Sequence, residues 1–442
     1  MIILGLGSNI GDRLQYLRRA LNAIKQISGL TVQQASPVYM SDAELLENAP
    51  LTWNQTFLNC ALRCESSLSP QALLTSLQKI EKDFGRDHLH EKWSPRVIDI
   101  DILAWDNMEM TTPELTIPHP HLLTRPFACW PLADLIPLWK VPSLELYVEQ
   151  FVEQWGSRFN GEAPSHTRQI PQRIDTPRLV GIINVTPDSF SDGGNFSSAE
   201  QALHQAIHLV EAGAEILDIG AESTAPNSPR LTPALERQRL QPALEAILSA
   251  RNFFLLPIKI SIDTMHAETA QNALALGVDW INDVTGFNDP AMRAAIRDTH
   301  ADCVVMHHLT IPPTRSDVIS RAEDPVKFLL NWSHKQIALL EKDGIARERI
   351  IIDPGFGFGK SSGQALKMLE NIHQFTELGV RILIGHSRKS FMSIFTPHSA
   401  PERDIETLAI TIHLAKQPVD YLRVHHVEMS ARAMKISAAL CA

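Results

Sequence analysis

Residues 350–360 have the sequence IIIDPGFGFGK, in which an apolar run ends at a carboxylate, Asp353, and a glycine-rich loop. A short apolar run without alternation is typical of a strand buried on both faces, as in a parallel sheet covered by helices. Seven further runs of this kind are separated by helical stretches: Leu179–Ile183, Glu215–Ile219, Ile258–Ile262, Asp279–Ile281, Cys303–Met306, Arg381–Ile384 and Tyr421–Val424. Eight such units in about 265 residues predict an α/β fold, the (β/α)₈ TIM barrel.

Polar or charged side chains stand at or just after the end of each predicted strand. Helix capping explains a single one of them, but it does not account for all eight strands. The active site of a (β/α)₈ barrel lies at the carboxyl ends of the strands, so we expect these residues to form one site. They are Asn184, Glu222 with Thr224, Asp263, Asn282 with Asp283, His307 with His308, Asp353, Ser387 with Arg388 and Lys389, and Arg423 with His425.

The amino-terminal part of the chain alternates strand and helix patterns in the order βαββαβ. This order predicts a ferredoxin-like α+β domain. The interval 156–178 is polar, contains glycine and proline, and has no hydrophobic period, which is typical of a domain boundary. We therefore predict two domains, at residues 1–158 and 178–442, joined by a linker at 159–177.

The composition disfavours several classes of protein. The chain has 442 residues, a formal net charge of −10 and an isoelectric point near 6.0. Proteins that bind nucleic acid or anionic membranes in general need a basic excess, so we expect neither partner. No apolar segment reaches the roughly 18 residues of a membrane span, and the amino terminus lacks a basic leader. The five cysteines are sparse and never spaced C-x-x-C, which favours a reducing cytoplasm.

Two glycine-rich loops imitate nucleotide-binding motifs without matching them. In GLGSNIG, residues 5–11, the third glycine lies one position too late for the dinucleotide motif G-x-G-x-x-G. In GFGFGKS, residues 355–361, the position that a P-loop reserves for glycine is occupied by Pro354. We therefore expect no phosphate cradle of either type. His119 and His121 lie outside the predicted barrel strands, so we do not expect a zinc site there.

A strand with two carboxylates marks the first domain. In VIDIDIL, residues 97–103, the period of two places Asp99 and Asp101 on one face, about 6.6 Å apart along the strand. Two such carboxylates repel each other unless a cation lies between them, and Mg²⁺ that bridges phosphates is the usual solution. The surrounding residues could bind a polyphosphate (Arg86, Arg96, His119, Arg125) or a flat heterocycle (Phe57, Asn59, Trp93, Phe127). We expect magnesium-assisted phosphoryl-type transfer without a P-loop.

The motifs of the first domain resemble 6-hydroxymethyl-7,8-dihydropterin pyrophosphokinase. They are GLGSN at 5–9, FLN at 57–59, QKIEKDFGR at 78–86, WSPRVIDIDIL at 93–103, IPHP at 117–120 and RPF at 125–127. The resemblance implies that a diphosphate passes from ATP to the pterin hydroxymethyl group and that AMP is released. It also implies that Asp99 and Asp101 hold two Mg²⁺ ions, that Asn59 binds the pterin edge, and that Phe57 and Phe127 enclose its ring. The positions that match ATP or the transfer loop are Glu81, Arg86, Trp93, Arg96, His119 and Arg125. The catalytic positions implied are Arg86, Arg96, Asp99 and Asp101. Departures are His88, where many members have arginine, and the loop 41–55.

The motifs of the second domain resemble dihydropteroate synthase. They are GIINVTPDSFSDGG at 181–194, DIGAEST at 218–224, ISIDT at 260–264, INDV at 281–284, DPGFGFGK at 353–360, GHSRKS at 385–390 and RVHHV at 423–427. Asp263, Asn282 and Asp353 offer acceptors and a donor to the edge of an aminopyrimidinone, and Lys389 adds a donor. A diphosphate could bind at Asn184, Arg423 and His425, with one Mg²⁺ at Asn184.

This second resemblance implies that diphosphate leaves first and that the amine of p-aminobenzoate then attacks the pterin-stabilised cation. The positions that match the p-aminobenzoate side are Thr224, Phe358, Ser387 and Lys389. The catalytic positions implied are Lys389, Arg423 and His425. The chain departs from the family at Ala225, where arginine is usual, and at His308 and His386. The resemblance also implies a homodimer that forms through the barrel.

The two resemblances together predict a bifunctional folate-pathway transferase whose substrates are hydroxymethyldihydropterin, ATP and p-aminobenzoate. The first domain would make the diphosphate ester that the second consumes. Three alternatives stay open at this point. The barrel could be a pterin-binding domain without catalysis, fused to an active pyrophosphokinase. It could be a pterin-binding methyl-transfer domain of the corrinoid enzymes. Finally, both domains could be structural.

Overall fold

The computed structural model describes residues 1–85, 94–142, 144, 146–185, 198–222, 230–314 and 316–440. The chain divides into two compact units. The first comprises Met1–Asp175 together with Lys435–Ala442, and the second comprises Thr176–Met434. Along the described ranges, no helix combines the length and the apolar composition needed to cross a bilayer.

The first unit is built on one antiparallel sheet. Its strands are β1 (Ile2–Ser8), β2 (Leu30–Ala35), β3 (Tyr39–Ser41), β4 (Phe57–Ser66), β5 (Asp99–Trp105) and β8 (Arg168–Gln169), and a separate pair consists of β6 (Met110–Thr111) and β7 (Thr116–Ile117). Its helices are α1 (Arg13–Ile24), α2 (Pro70–Asp83), α3 (Pro126–Leu135) and α4 (Val148–Val152). The order β5-β1-β4-β3-β8, with β2 also paired to β4, contains the ferredoxin-like arrangement and confirms the predicted α+β class.

Local sequence explains where the first two helices begin. The carboxylate of Asp12 accepts the backbone N–H of Gln15 at 3.1 Å and starts α1. The hydroxyl of Ser69 caps α2 in the same way, through the N–H of Ala72. Pro70 follows as the first helical residue, where its missing N–H costs nothing. Both helices bury one apolar stripe, which is why the period of 3.6 was visible in the sequence.

The second unit contains a closed parallel barrel. In order around the barrel, its strands are β9 (Arg178–Asn184), β10 (Ala214–Gly220), β11 (Lys259–Asp263), β12 (Trp280–Asp283), β13 (Asp302–Met306), β14 (Ile350–Asp353), β15 (Arg381–Ile384) and β16 (Tyr421–Val424), and β16 closes on β9. The helices are α5 (Ser198–Glu211), α6 (Pro233–Ala250), α7 (Ala267–Ala275), α8 (Pro290–Arg297), α9 (Pro325–Lys342), α10 (Ser362–Glu370), α11 (Asp404–Leu414) and α12 (Val427–Leu440). The predicted (β/α)₈ TIM barrel is confirmed.

Alternation along the strands positions the polar residues of the barrel. A packed apolar layer is formed by Val180, Ile216, Trp280, Val304, Ile351, Leu383 and Tyr421. Side chains two residues further along a strand return to the same face, one layer nearer the carboxyl end. In β10, β12, β14 and β16 those positions hold Asp218, Asn282, Asp353 and Arg423. Apolar residues thus fill the interior of the barrel, and polar or charged residues line its carboxyl end.

The segment predicted as a linker carries structure of its own. Strand β8 lies within 159–177 and pairs with β3. Arg173 is buried, donates to the carbonyl of Ala35 and forms an ion pair with Asp175. By its contacts, the chain up to Asp175 belongs to the first unit. The domain limits 1–158 and 178–442 stay a prediction.

Candidate active sites

A cleft of about 370 Å³ lies over the middle of the first sheet. Its floor is a row of facing residues on three strands, since Gly7 of β1 pairs with Asp99 of β5 on one side and with Asn59 of β4 on the other. A Cβ on Gly7 would stand 3.1 Å from the side-chain oxygen of Asn59. A Cβ on Gly5, the partner of Asp101, would stand 2.9 Å from the side chain of Leu103. The two glycines of the GLG motif therefore leave room for the cleft.

The predicted carboxylate pair lines this cleft. Asp99 is partly exposed and accepts a hydrogen bond from Nη1 of Arg96 at 2.7 Å, whereas Asp101 is exposed. Asn9 holds the backbone of Arg96 through two hydrogen bonds. The backbone N–H of Arg96 donates to the side-chain oxygen of Asn9 at 2.6 Å, and the backbone N–H of Asn9 donates to the carbonyl oxygen of Arg96 at 3.1 Å. Within the described ranges, no group of three or more His, Cys, Asp and Glu side chains converges on a metal site. The protein thus offers carboxylate oxygens that suit Mg²⁺, a cation that takes its other ligands from phosphates and water.

The aromatic residues predicted for the heterocycle line the same cleft. Phe57, Asn59 and Phe127 all border it. The amide of Asn59 is buried and donates from Nδ2 to the hydroxyl of Ser41 at 3.0 Å. This contact holds the amide in one plane, which a planar ligand edge requires. The role of Ser41 was not predicted from the sequence, because Ser41 lies on β3, a strand of only three residues.

The cationic residues of the cleft are also held in place. The guanidinium of Arg125 lies 3.0 Å from the carboxylate of Glu44 and 5.7 Å from the ring centroid of Phe127. His119 lines the cleft, and its backbone N–H donates to the carbonyl of Leu103. Burial, followed by the charge of Arg125, lowers the pKa of His119 to about 4, so its imidazole is neutral at physiological pH.

Of the residues predicted for the ATP side, Glu81 is not among those that border the cleft. Glu81 is buried on α2, and its carboxylate accepts the backbone N–H of Ile100 at 2.9 Å. This bond ties α2 to the strand that carries the carboxylate pair. Arg86 and Trp93 lie outside the described residues.

In the barrel, one arginine joins two carboxylates at the carboxyl end. Nε of Arg423 donates to Asp218 at 2.6 Å and its Nη2 donates to Asp263 at 2.9 Å. The amide of Asn282 donates to the same oxygen of Asp218 at 3.0 Å. Asp218 was not among the predicted site residues, yet it connects two of them. It lies two residues inside β10, and the prediction considered only the ends of strands.

Burial favours the neutral forms of Asp263, Asp353 and Lys389 in this pocket. Burial raises the pKa of Asp263 to about 7, against the opposing effect of Arg423, and it raises the pKa of Asp353 as well. Burial and then the charge of Arg423 lower the pKa of Lys389 to about 8. Asp353 accepts the backbone N–H of Gly355 at 2.8 Å. The pocket therefore holds one carboxyl group, Asp263, and one ammonium, Lys389, whose protonation states change close to neutral pH.

The remaining predicted barrel residues meet around the same opening. The hydroxyl of Ser387 lies 2.8 Å from Nδ1 of His425. Burial, followed by the charge of Arg388, lowers the pKa of His425 to about 3, so it is neutral. The ammonium of Lys389 lies 4.5 Å from the ring centroid of Phe358, a cation–π contact.

Register connects the first strand of the barrel to this pocket. Asn184 pairs with Gly220, and Gly220 pairs with Asp263, so Asn184 stands on the same level as the pterin-side residues predicted from the sequence. His308 follows β13, and burial lowers its pKa. Thr224 and Ala225 lie outside the described residues.

Comparison with known families gives a match for each unit. A family described as 7,8-dihydro-6-hydroxymethylpterin-pyrophosphokinase matches residues 3–137, and one described as pterin binding enzyme matches residues 180–425. The folate synthesis bifunctional protein of Chlamydia caviae is 34% identical over 99% of this chain and 97% of its own length. The mitochondrial folate synthesis bifunctional protein of Pisum sativum is 34% identical over 99% of this chain and 89% of its own length.

Solved structures match the barrel. Dihydropteroate synthase from Anaplasma phagocytophilum, with bound 6-hydroxymethylpterin-monophosphate, is 37% identical with a TM-score of 0.54 and covers 60% of this chain and 99% of its own. Dihydropteroate synthase from Xanthomonas albilineans, with 4-aminobenzoic acid, is 34% identical with a TM-score of 0.55 and covers 60% of this chain and 93% of its own.

Proposed function

Because the chain belongs to the pterin binding enzymes and, over almost its full length, to the bifunctional folate synthesis proteins, we propose that its two sites perform successive reactions. The first domain transfers diphosphate from ATP to 6-hydroxymethyl-7,8-dihydropterin. The second condenses the product with p-aminobenzoate to give 7,8-dihydropteroate and releases diphosphate. No finding supports a barrel that binds pterin without catalysis. The observation that carries this assignment is that one chain contains both sites. The first is the cleft lined by Asp99 and Asp101, and the second is the barrel pocket in which Arg423 joins Asp218 and Asp263.

Residues of the first cleft divide between the two substrates. Asn59, Phe57 and Phe127 bind the pterin, in support of which the Asn59 amide is fixed by Ser41 and both rings border the cleft. Arg96, His119 and Arg125 bind the phosphates of ATP. Arg86 and Trp93 stay predictions for the same substrate, as does Glu81, whose bond to Ile100 supports a role in positioning β5.

Magnesium is required in general by the first reaction. Asp99 and Asp101 would hold two Mg²⁺ ions, whose charge would offset that of the transferred diphosphate. The protein residues then have only to orient the partners. Asn59 fixes the pterin so that its hydroxymethyl oxygen faces the phosphorus, while Arg96 and Arg125 hold the phosphates. The hydroxyl oxygen forms the new bond to phosphorus, the bond to AMP breaks, and the hydroxyl proton is released.

We assign the residues of the barrel pocket to three groups, which bind the pterin edge, the diphosphate and p-aminobenzoate. Asp263, Asn282, Asp353 and Lys389 bind the pterin edge. Asn184, Arg423 and His425 bind the diphosphate, with one Mg²⁺ at Asn184. Phe358, Ser387, Lys389 and Thr224 bind p-aminobenzoate. The support for this division is that the described residues of the three groups converge on one opening through the contacts of Arg423, His425 and Lys389.

Electrostatics explain how the barrel promotes the second reaction. The bond between the pterin methylene carbon and the diphosphate oxygen breaks, and the electron pair leaves with the diphosphate. Arg423 and Lys389 stabilise the charge that develops on this leaving group, while Asp263 and Asp353 face the positive charge that develops on the pterin. The amine nitrogen of p-aminobenzoate then forms the new bond to carbon and loses a proton. Preorganised charges of this kind contribute several kcal/mol, on the order of 3 for one donor.

Assembly and location follow as finer proposals. The protein forms a homodimer through the barrel, in support of which Phe395, Ile405 and Met429 are exposed apolar side chains on the barrel unit. Sedimentation equilibrium tests this. The protein works in the cytoplasm, in support of which Cys60, Cys64, Cys129 and Cys303 are buried free thiols.

The experiment that tests the function follows two products in one mixture of ATP, Mg²⁺, 6-hydroxymethyl-7,8-dihydropterin and p-aminobenzoate. The wild-type protein should release AMP and form dihydropteroate. AMP without dihydropteroate would overturn the second half of the assignment, and the absence of both products would overturn it entirely.

A further inference from the structure

The loop between β14 and α10 approaches the loop after β13 unusually closely. Gly355 has a φ of 71°, and a Cβ there would stand 1.9 Å from the carbonyl oxygen of His307. Gly357 has a φ of 83°, and a Cβ there would stand 3.3 Å from Cδ of Lys389. Only glycine allows both approaches. The glycines that imitate a P-loop in the sequence therefore bring the loop backbone against its two neighbours.

The lysine at the end of this glycine-rich loop holds that approach together. Lys360 is buried, at 7% exposure, and its ammonium points back into the protein. Nζ donates to the carbonyl oxygens of Gly355 and Phe358, each at 2.9 Å, and to that of His307 at 3.2 Å. It also lies 2.7 Å from Nδ1 of His307, so the three protons of the ammonium are shared among four acceptors. A single side chain thus bonds to both ends of the turn 355–358 and to the neighbouring loop.

His307 provides a rigid acceptor for this lysine. Its ring packs edge-on against Phe328 and Trp332, with centroid separations of 5.8 and 4.9 Å, and its backbone N–H donates to the carbonyl of Asp353. Burial, followed by the charge of Lys360, lowers the pKa of His307 to about 2, so the ring stays neutral. Its Nδ1 therefore accepts a hydrogen bond rather than repelling the ammonium.

The turn that Lys360 holds presents Phe358 to Lys389. The N–H of Phe358 donates to the carbonyl of Gly355 at 3.1 Å, and its ring lies 4.5 Å from the Lys389 ammonium. We propose that Lys360 is a positioning residue for the amine substrate, because it fixes the turn that sets the Phe358 ring beside Lys389. The inference rests on the proposed function, since it concerns the p-aminobenzoate side of the barrel.

Replacing Lys360 by methionine keeps the length of the side chain and removes its donors. Three backbone carbonyls then lose a buried partner, so the turn 355–358 relaxes. We expect Lys360→Met to raise the KM for p-aminobenzoate by about tenfold or more, and the KM for the pterin diphosphate by less than about threefold. A loss of folded protein would lower the rate at saturation without changing this ratio of KM values.

Two further variants make the test specific. His307→Phe keeps an aromatic ring between Phe328 and Trp332 but removes the Nδ1 acceptor, so it should raise the KM for p-aminobenzoate in the same direction. It also carries the test if Lys360→Met does not fold. Lys367→Met makes the same chemical change on α10, where the ammonium pairs with Asp324 at 2.8 Å near the surface, and should leave both KM values unchanged.

The full-length protein is assayed with the pterin diphosphate and p-aminobenzoate varied separately. If wild-type protein forms no dihydropteroate, the proposed function fails, and this is seen before any variant is compared. If wild-type protein is active and folded Lys360→Met and His307→Phe leave the ratio of the two KM values unchanged, the positioning role is overturned.

Discussion

The charge of the Lys389 ammonium should govern the pH dependence of the second reaction. Its pKa is lowered to about 8 by burial and by Arg423. The cationic form, to which we assign the binding of the anionic pterin diphosphate, predominates below about pH 8 and is lost as the pH rises through that value. We expect kcat/KM for dihydropteroate formation to fall roughly tenfold per pH unit above about pH 8, because Lys389 loses its charge there.

A pH profile measured with the pterin diphosphate as substrate checks this. Lys389→Arg keeps a cation that does not titrate in this range, so its residual activity should show no such fall. A profile that falls at the same pH in the variant would exclude Lys389 as the group responsible.

Asp218 makes a second prediction at the residue scale. Its carboxylate accepts hydrogen bonds from both Arg423 and Asn282 and is 1% exposed. Asp218→Asn keeps the shape but removes one of the two negative charges that face the half-buried Arg423 cation. We expect a loss of about 3 kcal/mol in the stability of the barrel, seen as a lower thermal transition, together with a large loss of dihydropteroate formation.

A matched change controls for the general cost of losing a carboxylate. Asp298 is exposed and pairs with Arg297, the residue before it. Asp298→Asn should change the transition very little, because solvent screens an ion pair between two exposed side chains. Equal effects of the two substitutions would contradict the role assigned to Asp218.

The sequence revealed some of these residues and not others for a physical reason. Positions at strand ends could be predicted, since the carboxyl ends of barrel strands form the site. Asp218 lies within β10, where its polar side chain becomes informative only when register and inward alternation are known. Ser41 and Glu44 could not be found either, because their roles depend on contacts with Asn59 and Arg125, far away in the chain.

At the scale of elements, strand β1 is the middle of the three strands that form the floor of the first cleft. Gly7→Ala places a Cβ 3.1 Å from the side-chain oxygen of Asn59, so the amide that we assign to the pterin must move. Overpacking of this kind costs about 1–3 kcal/mol. We expect the KM for 6-hydroxymethyl-7,8-dihydropterin to rise by about tenfold or more, measured from AMP release at saturating ATP.

Gly363 offers the matched control for this substitution. It is the second residue of α10, after Ser362, and a Cβ there would meet no atom within 4 Å. Gly363→Ala should leave AMP release unchanged and should stabilise the helix by up to about 1 kcal/mol. An unchanged KM in Gly7→Ala would show that the β1 glycine is not needed for the cleft.

Elements differ in how well the sequence predicts them. The barrel strands were found because apolar runs between helices leave few alternatives, as in Ile350–Asp353. Strands β3 and β8 were not delimited, because three and two residues are too few to show a period. The segment 159–177 was predicted as a linker because it is polar. A polar side chain such as that of Arg173 does not reveal in the sequence that it will be buried and donate to the carbonyl of Ala35.

At the scale of the whole molecule, each of the two units contains its own candidate site. The carboxylates of the first cleft and the ammonium of the barrel pocket belong to different units. A substitution in one unit should therefore abolish one reaction and leave the other intact. Asp101→Ala should lose AMP release, and Lys389→Ala should lose only dihydropteroate formation.

The measurement that tests this account most directly mixes these two full-length variants. With ATP, Mg²⁺, 6-hydroxymethyl-7,8-dihydropterin and p-aminobenzoate, neither variant alone should form dihydropteroate. Their mixture should form it, because the diphosphate ester made by Lys389→Ala is used by Asp101→Ala. Dihydropteroate formed by either variant alone, or none formed by the mixture when each variant retains its own half-reaction, would contradict the claim that two separate sites act in series.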